Sequence, residues 1–261
     1  MTTLTLENVQ WGPNPRSPLS LVINTGEVWV ILGQNGSGKT TLLHTLMGLL
    51  PPTSGHILIN KQALHHHSAK ARAKMLGLLF QTHHPVFPIS IEAYCKDARY
   101  PHGKESTHTI NQHASHALNA LGLTPLKHQT LNTLSGGERQ RAALAALLVQ
   151  DPRFYLLDEP MNHLDLAHQI KALQHFTALA NDDRGLIISL HNPTQAEQIA
   201  THALLLFNDG SHAHGRAATL FTEPMLSRLY ECKLQRNQHR EAVFWQAEMC
   251  YNEVTSLGRD E

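Results

Sequence analysis

The chain has 261 residues, of which 41% are hydrophobic and 16% are charged. Its 21 Lys and Arg residues balance its 21 Asp and Glu residues, and this zero net charge argues against a protein that mainly binds a nucleic-acid backbone. The cysteines, Cys95, Cys232 and Cys250, are widely spaced, which indicates neither a zinc site nor a disulfide framework and favours a reducing compartment. Neither a signal peptide nor an apolar run of about 20 residues is recognisable, so we expect a cytoplasmic-type chain.

The first part of the chain alternates strand and helix patterns. Short runs that are apolar or alternate in polarity predict strands at 4–11, 19–23, 28–32, 56–60 and 77–80. A helix is predicted from Lys39 to about Leu50, where Pro51 and Pro52 stop it, and another around 70–74. This alternation is typical of an α/β fold.

The pattern changes at about residue 82, where His- and Pro-rich loops separate helical patterns at 90–100, 107–121 and 137–149. This block indicates a helical insertion in an otherwise α/β chain. The alternation then resumes, with strands predicted at 154–158, 185–189 and 203–207, helices at 165–180 and 194–201, and a hairpin turn at 208–210. Beyond residue 221 the pattern is helical and then polar, and it ends in a charged tail.

The strongest motif is GQNGSGKT, which follows a predicted strand and opens a predicted helix. It fits the phosphate loop, G-x-x-x-x-G-K-[ST], in which glycines let successive backbone N–H groups point at one anion. Its position argues against a chance match. We expect Lys39 to reach the β- and γ-phosphates of a nucleotide and the Thr40 hydroxyl to bind Mg²⁺. The candidate nucleotide-binding residues of this motif are Gly33, Asn35, Gly36, Ser37, Gly38, Lys39, Thr40 and Thr41.

A second motif is FYLLDE, in which four apolar residues of a buried strand end in two acids. We expect Asp158 to hold the Mg²⁺ shell, because a carboxylate at a strand end serves this role in phosphoryl transfer. Glu159 is the candidate general base for an attacking water. The alternative is an acidic strand end that caps a helix, and the phosphate loop upstream argues against it.

A third motif is LSGGERQR, in which Ser135, Gly136 and Gly137 open a strong helix. Such a turn is a second anion-ready helix N-terminus. One chain needs only one phosphate loop, so the second turn suggests a dimer in which each chain offers its turn to the other chain's nucleotide. An ordinary helix cap with flexible glycines is the alternative, and this motif alone does not decide between them.

Taken together, the three motifs resemble the nucleotide-binding subunit of an ABC transporter, and the resemblance covers essentially the whole chain. LSGGERQ resembles the ABC signature. The resemblance implies an α/β fold with a P-loop NTPase (RecA-like) core, an N-terminal antiparallel β subdomain and an inserted helical subdomain. It places the core and β subdomain at 1–81 and 151–230, the helical subdomain at 82–150 and a C-terminal tail at 231–261.

The resemblance also implies roles for single residues, with ATP and Mg²⁺ as cofactors. Trp11 matches the aromatic residue that stacks on adenine. Gln81 matches the glutamine that contacts Mg²⁺ and the attacking water and senses the membrane subunit. Asp165 matches the D-loop, and His191 matches the switch histidine that contacts the γ-phosphate. The signature turn would face the nucleotide of a second copy of the chain.

Three positions depart from the family's usual residues. Asn192 follows the switch histidine where Asp is usual, Met161 stands where Thr is common, and Ala146 stands where Arg is frequent. None of them removes a catalytic group, so they affect our expectations for coupling and not for ATP hydrolysis.

Two features indicate the kind of ABC protein: whether a membrane span is fused to the ATP-binding unit, or cassette, and which relatives its segments resemble. A single cassette with no fused membrane span favours an importer. Segments 157–169 and 98–102 resemble type II importers for iron chelates, haem and cobalamin, and 204–230 slightly favours a cobalamin-type member. The implied partners are integral membrane permease subunits and, indirectly, a solute-binding protein, with no nucleic acid. The implied location is the cytoplasmic face of the plasma (inner) membrane, as a peripheral subunit.

Two other functions compete with this one. A soluble ABC ATPase that acts on ribosomes or DNA usually has two cassettes or long coiled-coil or zinc insertions, and none is visible here. A catalytically dead regulatory cassette is the third interpretation. The presence of Lys39, Asp158, Glu159 and His191 argues against it.

The 20 histidines form several clusters that could suggest a metal site. These clusters are His65–His67, His83 with His84, and the run of His102, His108, His113 and His116. Metal binding needs converging ligands with supporting partners, so solvated surface histidines are the simpler interpretation. A second hypothesis is that the histidines of 83–102 lie near a membrane subunit and tune its contact with pH.

Overall fold

A computed structural model describes residues 1–14, 16–81, 88–239 and 242–248. In these residues the strands are β1 (Thr3–Gln10), β2 (Leu19–Asn24), β3 (Val28–Gly33), β4 (Ser54–Ile59), β5 (Gln62–Ala63), β6 (Leu76–Leu79), β7 (Phe154–Asp158), β8 (Gly185–Ser189), β9 (His202–Leu206), β10 (His212–Arg216), β11 (Leu234–His239) and β12 (Ala242–Ala247). The α-helices are α1 (Lys39–Met47), α2 (Ala69–Met75), α3 (Ile91–Asp97), α4 (Thr107–Ala120), α5 (Gly136–Gln150), α6 (Leu166–Asn181), α7 (Pro193–Ile199), α8 (Ala217–Leu220) and α9 (Glu223–Tyr230).

The central sheet has the strand order β10-β9-β3-β8-β7-β6, and all of its strands are parallel except β10. Every residue of β3, β7 and β8 is buried, as expected for apolar strands covered on both faces. Because these strands are parallel, their carboxyl ends meet at one edge. This edge holds Gly33, Asp158 and Ser189, and Asp158 is paired directly with Ser189.

The second sheet is antiparallel and has the order β2-β1-β4-β5. Its inner residues Leu4, Leu19 and Ile59 are fully covered. They belong to one apolar cluster with Leu43 of α1 and Phe154 of β7. This cluster fixes the phosphate-loop helix between the two sheets. The predicted N-terminal antiparallel subdomain is therefore present.

Helices α3, α4 and α5 pack on one another, and α5 also packs on β6. Their apolar residues belong to the same cluster as one face of the central sheet, which joins the helical block to the sheet. The predicted α/β architecture with a helical insertion is thus confirmed. The exact boundaries of 1–81, 82–150, 151–230 and 231–261 stay a prediction. None of the described helices is both long and apolar enough to span a membrane.

One helix and one predicted tail differ in the structure from the sequence-based expectation. Helix α1 stops at Met47 and not near Leu50, because Gly48 adopts a left-handed φ of 76° and its N–H closes on the carbonyl of Thr45. In the segment predicted as a polar tail, β11 and β12 form an antiparallel hairpin. Trp245, 9% exposed, and Leu234, 7% exposed, anchor this hairpin, which an alternation of mostly polar residues did not reveal.

Candidate functional site

The phosphate loop joins β3 to α1 at the carboxyl edge of the central sheet. Gly36 and Gly38 have φ values of 81° and 86°, which favour glycine, so the loop curls as its sequence predicts. A Cβ atom on Gly33 would lie 2.5 Å from Ser37 Oγ, so this position also requires glycine. No side chain caps the N-terminus of α1, where Gly38 is the N-cap. The loop therefore offers a helix N-terminus to an anion.

Lys39 places a cation inside this loop. Its side chain is almost fully buried, and Nζ donates to the carbonyls of Gly33, at 2.9 Å, and Gln34, at 3.2 Å. Burial lowers the pKa of Lys39, and the nearby carboxylates of Glu159 and Asp158 oppose that shift. The ammonium group is thus held by the backbone of the loop that the sequence predicts to bind phosphates.

Asp158 ends β7 and is completely buried. Its Oδ1 accepts a hydrogen bond of 2.6 Å from Ser189 Oγ, while Oδ2 has no hydrogen-bond partner among the described residues. Ser37 Oγ in the phosphate loop is also buried and without a partner there. A buried carboxylate oxygen with no hydrogen-bond partner among the described residues fits the oxygen ligands that Mg²⁺ prefers. Of the three residues predicted to bind the metal, Asp158 thus offers an oxygen that suits this ion, and the roles of Thr40 and Gln81 stay predictions.

Glu159 is the centre of the predicted catalytic group. Its Oε2 accepts hydrogen bonds from Gln81 Nε2 at 2.7 Å and from Asn162 Nδ2 at 2.6 Å. Its Oε1 contacts His191 Nε2. The structure therefore brings together the three predicted catalytic residues, Gln81, Glu159 and His191, although they lie far apart in the sequence.

Two residues of this group were missed by the sequence analysis. Asn162 lies one turn after Glu159 and holds its carboxylate. Ser189, at the end of β8, accepts the Glu159 backbone N–H at 2.8 Å and donates to Asp158. Ser189 thus bridges the two acids. No motif marks either residue, although the position of Ser189 at a parallel strand end was a usable signal.

Trp11 does not present an open ring. Its indole is 1% exposed, and Nε1 donates to the Gly38 carbonyl at 3.1 Å. The Arg16 guanidinium carbon lies 5.5 Å from the ring centroid, and burial lowers the pKa of Arg16. Trp11 therefore lies beside the phosphate loop, and adenine can stack on this face, as predicted for Trp11, only if Arg16 moves. Arg16 was not identified from the sequence.

The signature turn, 135–137, opens α5 with a capping box. Ser135 Oγ accepts the Glu138 N–H at 3.3 Å, and Glu138 Oε2 accepts the Ser135 N–H at 2.8 Å. A Cβ on Gly137 would lie 2.7 Å from the His163 carbonyl, so this glycine permits close packing on the D-loop segment. Among the described residues, no hydrogen bond joins this turn to the phosphate loop of the same chain.

Asp165 caps α6 and connects it to α5. Its carboxylate accepts the His168 backbone N–H at 2.9 Å and contacts His168 Nδ1 at 2.8 Å. His168 Nε2 lies 3.0 Å from Arg141 Nη1 of α5. The hydrogen bonds from His168 lower the pKa of Asp165. The predicted D-loop residue is thus tied to the signature helix and not to the catalytic group of its own chain.

The structure gives no support to a histidine metal site in the part of the chain that it describes. There, no three His, Cys, Asp or Glu residues come together as metal ligands would. His102 Nε2 instead contacts the Gln150 carbonyl at 2.7 Å. His83 and His84 lie outside the described residues, so the hypothesis that they tune a partner contact stays a prediction.

The fold and this site define a phosphate-loop ATPase, with a cation and a buried acid pair at the carboxyl edge of a parallel sheet. Residues 17–162 match the family model described as ABC transporter. The chain therefore belongs to the ABC transporter family. The resemblance stated from the motifs and the expected P-loop NTPase fold are both confirmed, as is ATP hydrolysis as the activity.

Individual relatives extend the match over most of the chain. The chain is 35% identical to the ferric enterobactin transport ATP-binding protein FepC of Escherichia coli (strain K12), over 81% of this chain and 80% of that protein. It is 34% identical to the hemin import ATP-binding protein HmuV of Burkholderia pseudomallei (strain 1710b), over 81% and 86%. A solved ABC transporter structure, inward-facing and assigned to the metal-chelate type, matches with a TM-score of 0.79 and 29% identity, over 95% and 96%.

Proposed function

We propose that the chain is the ATP-hydrolysing subunit of an ABC importer for an iron chelate, either a ferric siderophore or haem. The observation that carries the proposal is the complete catalytic group, in which Gln81, Asn162 and His191 hold the Glu159 carboxylate. The substrate class is supported by relatives whose names refer to ferric enterobactin and hemin. The cobalamin preference drawn from residues 204–230 has no support in these names and stays a prediction.

The phosphate loop and Lys39 would bind the phosphates of ATP. Asp158, Thr40 and Gln81 would hold Mg²⁺, and Oδ2 of Asp158, which has no hydrogen-bond partner in the described part of the chain, would be the anchor. When bound, the ion neutralises charge on the β- and γ-phosphates. Adenine would stack on Trp11 after displacement of Arg16 from its ring. Asn35 and Thr41 would complete the nucleotide contacts around the loop.

Glu159 would orient water and accept its proton. Each carboxylate oxygen has about two acceptor positions, so Oε1, which contacts only His191 among the described residues, keeps room for a water proton. Gln81 and Asn162 fix the other oxygen and thereby the plane of the carboxylate. His191 would then contact the γ-phosphate. Catalysis in this site is mainly positioning and electrostatic stabilisation.

A second copy of the chain would complete the site. Ser135, Gly136 and Gly137 form a helix N-terminus that has no hydrogen bond to its own phosphate loop in the described residues. A nucleotide held between two chains would use this turn from the other copy. Asp165 is linked to α5 through His168. A second copy that contacts Asp165 would therefore also shift the signature turn at the start of α5.

A permease subunit would dock beside Gln81. Leu49 and Leu50, which follow α1, and Phe80, which follows β6, are large apolar side chains exposed by 53%, 41% and 39%. Next to Phe80 is a groove between β6, α3 and α5 that is lined by Leu79, Tyr94, Ala98, Ala143 and Ala146. Phe80, which lines this groove, directly precedes Gln81, the predicted sensor of the membrane subunit. Docking there would place the chain on the cytoplasmic face of the inner membrane, with a solute-binding protein as an indirect partner.

The test is a mild-detergent pull-down of the tagged chain from its own cell membranes, followed by mass spectrometry. We expect a polytopic membrane protein in about equal amount, and ATPase activity of the complex that rises with a ferric siderophore or haem. As a control, Leu49→Asp and Phe80→Asp together should release the membrane protein while the ATPase activity of the isolated chain remains. Recovery of ribosomal or DNA-repair proteins, with no membrane protein, would overturn the importer and support the soluble ABC ATPase.

A further inference from the structure

We propose that the C-terminal arm, defined as α9 together with the β11–β12 hairpin, sets the position of the switch histidine, with Tyr230 as the positioning residue. The proposal rests on the proposed function, because His191 matters only if the chain hydrolyses ATP. The sequence predicted a helical pattern beyond residue 221 and a tail at 231–261, and no motif indicated that this arm contacts the switch. Three independent contacts carry the inference.

The first contact reaches the switch histidine itself. The Tyr230 hydroxyl donates a hydrogen bond of 2.8 Å to the backbone carbonyl of His191, 39 residues earlier in the chain. Burial raises the pKa of Tyr230, so the hydroxyl remains a donor across the working pH range. His191 lies in the short connection between β8 and α7, where Asn192 already caps the helix. The tyrosine therefore fixes the backbone from which the imidazole projects.

The second contact reaches the phosphate loop. Gln34 Nε2 donates to the carbonyl of Leu229 at 3.2 Å. This carbonyl belongs to the last turn of α9, where carbonyls have no partner within the helix. Two adjacent residues of α9, Leu229 and Tyr230, thus contact the two loops that would lie on either side of the γ-phosphate.

The third contact fixes the helix that follows the switch. The backbone N–H of Trp245 donates to Thr194 Oγ1 at 2.9 Å, and its indole N–H donates to Glu197. The Arg236 guanidinium also pairs with the Glu197 carboxylate, with Nε at 3.0 Å. Glu197 therefore receives one group from each strand of the hairpin. Because α7 begins two residues after His191, the hairpin restrains the switch from its other end.

These contacts predict a kinetic effect with a particular form. Tyr230 acts through the position of His191, which contacts the phosphate as it leaves, and not through the groups that bind ground-state ATP. Loss of its hydroxyl should lower kcat by about fivefold, the scale of one hydrogen bond of typical net strength. KM for ATP should stay within about twofold of the wild-type value, because the contacts that bind ground-state ATP are unchanged.

The experiment uses the full chain, with Tyr230→Phe as the main variant and Tyr100→Phe as the matched control. Tyr100 is 79% exposed, so loss of its hydroxyl should leave kcat unchanged. A second variant, Glu197→Gln, removes the charge that pairs with Arg236 and so weakens the link between the hairpin and α7, and it should also lower kcat, by about twofold to threefold. Steady-state ATPase activity, binding of a fluorescent ATP analogue and a thermal melt are measured for each.

A double-mutant cycle separates positioning from general stability. In a His191→Ala background, measured by single turnover, Tyr230→Phe should have no further effect, because the group that it positions is gone. A wild-type kcat for Tyr230→Phe, or an equal loss in the presence and absence of His191, would overturn the inference. A wild-type chain without ATPase activity would instead overturn the proposed function, and the inference with it.

Discussion

Two helix N-termini in this chain were predicted from the same kind of sequence, and the structure shows that they differ. Helix α1 starts at Gly38 with no side-chain cap, and the loop before it holds the Lys39 ammonium group. Helix α5 follows Ser135 with a full capping box, in which the Glu138 carboxylate accepts the Ser135 N–H and Ser135 Oγ accepts the Glu138 N–H. One terminus is arranged for an anion from solution, while the other already carries an anion of its own.

The difference shows that a glycine-rich turn before a helix does not by itself specify a phosphate site. At α1 no side chain caps the N-terminus, and the buried Lys39 ammonium group lies in the same loop. The positive end of the helix dipole is therefore available to bind an anionic ligand. At α5 the hydrogen bonds from Ser135 lower the pKa of Glu138, so this carboxylate stays charged at neutral pH. A phosphate of a second chain's nucleotide must bind beside that charge. We therefore expect strong binding at α1 and weak, dimer-dependent binding at α5.

The variant with the largest expected effect separates ATP binding at the N-terminus of α1 from ATP hydrolysis. Glu159→Gln should lower ATP turnover at least about a hundredfold, because it removes the candidate general base, while ATP binding stays intact. Single-turnover hydrolysis and ATP titration measure the two properties separately. Glu7→Gln, an exposed position on β1, is the control. Full activity in Glu159→Gln would show that another group takes the proton.

The variant with the next largest expected effect removes the buried cation that distinguishes the N-terminus of α1 from that of α5. Lys39→Ala should weaken ATP affinity by about tenfold to a hundredfold, because one strong charge-assisted contact to phosphate is lost. Binding of adenosine, which has no phosphate, should change little. Calorimetric titration with both ligands checks this, with the exposed Lys61→Ala as the control. Equal losses for ATP and adenosine would indicate a damaged loop and not a lost phosphate contact.

A smaller effect is expected from removing the cap at α5. Ser135→Ala should lower steady-state kcat by about fivefold, the scale of a lost helix N-cap, without weakening ATP binding to the single chain. Ser106→Ala removes a cap of the same kind from α4, where Ser106 accepts the Thr109 N–H at 3.1 Å. This matched variant should keep its kcat. Equal losses of kcat in both variants would contradict a role for the signature turn.

The smallest effect concerns the charge on α5. Glu138→Gln keeps a side chain that can complete the capping box but removes the negative charge, so ATP-driven association of two chains should become about twofold tighter. Analytical ultracentrifugation with Glu159→Gln present, to hold ATP, measures the association. Glu92→Gln, which removes a first-turn acid from α3, is the control. Weaker association in Glu138→Gln would show that the carboxylate helps to receive the second chain.

The sequence was sufficient to predict those elements and site residues that a local pattern of residue types encodes. The strands β7 and β8 match their predicted limits, and β3 differs by one residue, because a continuous apolar run between turns is a local signal. The phosphate loop follows from glycine spacing alone. Glu159 was found from the two acids that end a buried strand, and Gln81 and His191 through the family resemblance; the structure then showed them in contact.

The rest depended on contacts between distant residues that no local pattern encodes. Tyr230 is an ordinary residue at a helix end until the fold places it against His191. Arg16 lies in a Pro-rich loop, and only the fold brings it over Trp11. The hairpin at the C-terminus is mostly polar, so its two anchoring side chains, Leu234 and Trp245, gave too weak a periodic signal.

The strand order of the central sheet has a consequence for synthesis of the chain. The strand that leads into the phosphate loop, β3, is flanked by β8 and β9, whose paired residues lie about 160 and 175 positions later. At ribosomal rates of about 5–20 residues per second, those neighbours emerge roughly ten to thirty seconds after β3. The antiparallel N-terminal sheet uses nearby strands and can form first. A nascent chain that is stalled before Gly185 would therefore have a complete loop sequence without the two strands that flank β3, and ATP becomes able to assist folding only near the end of translation.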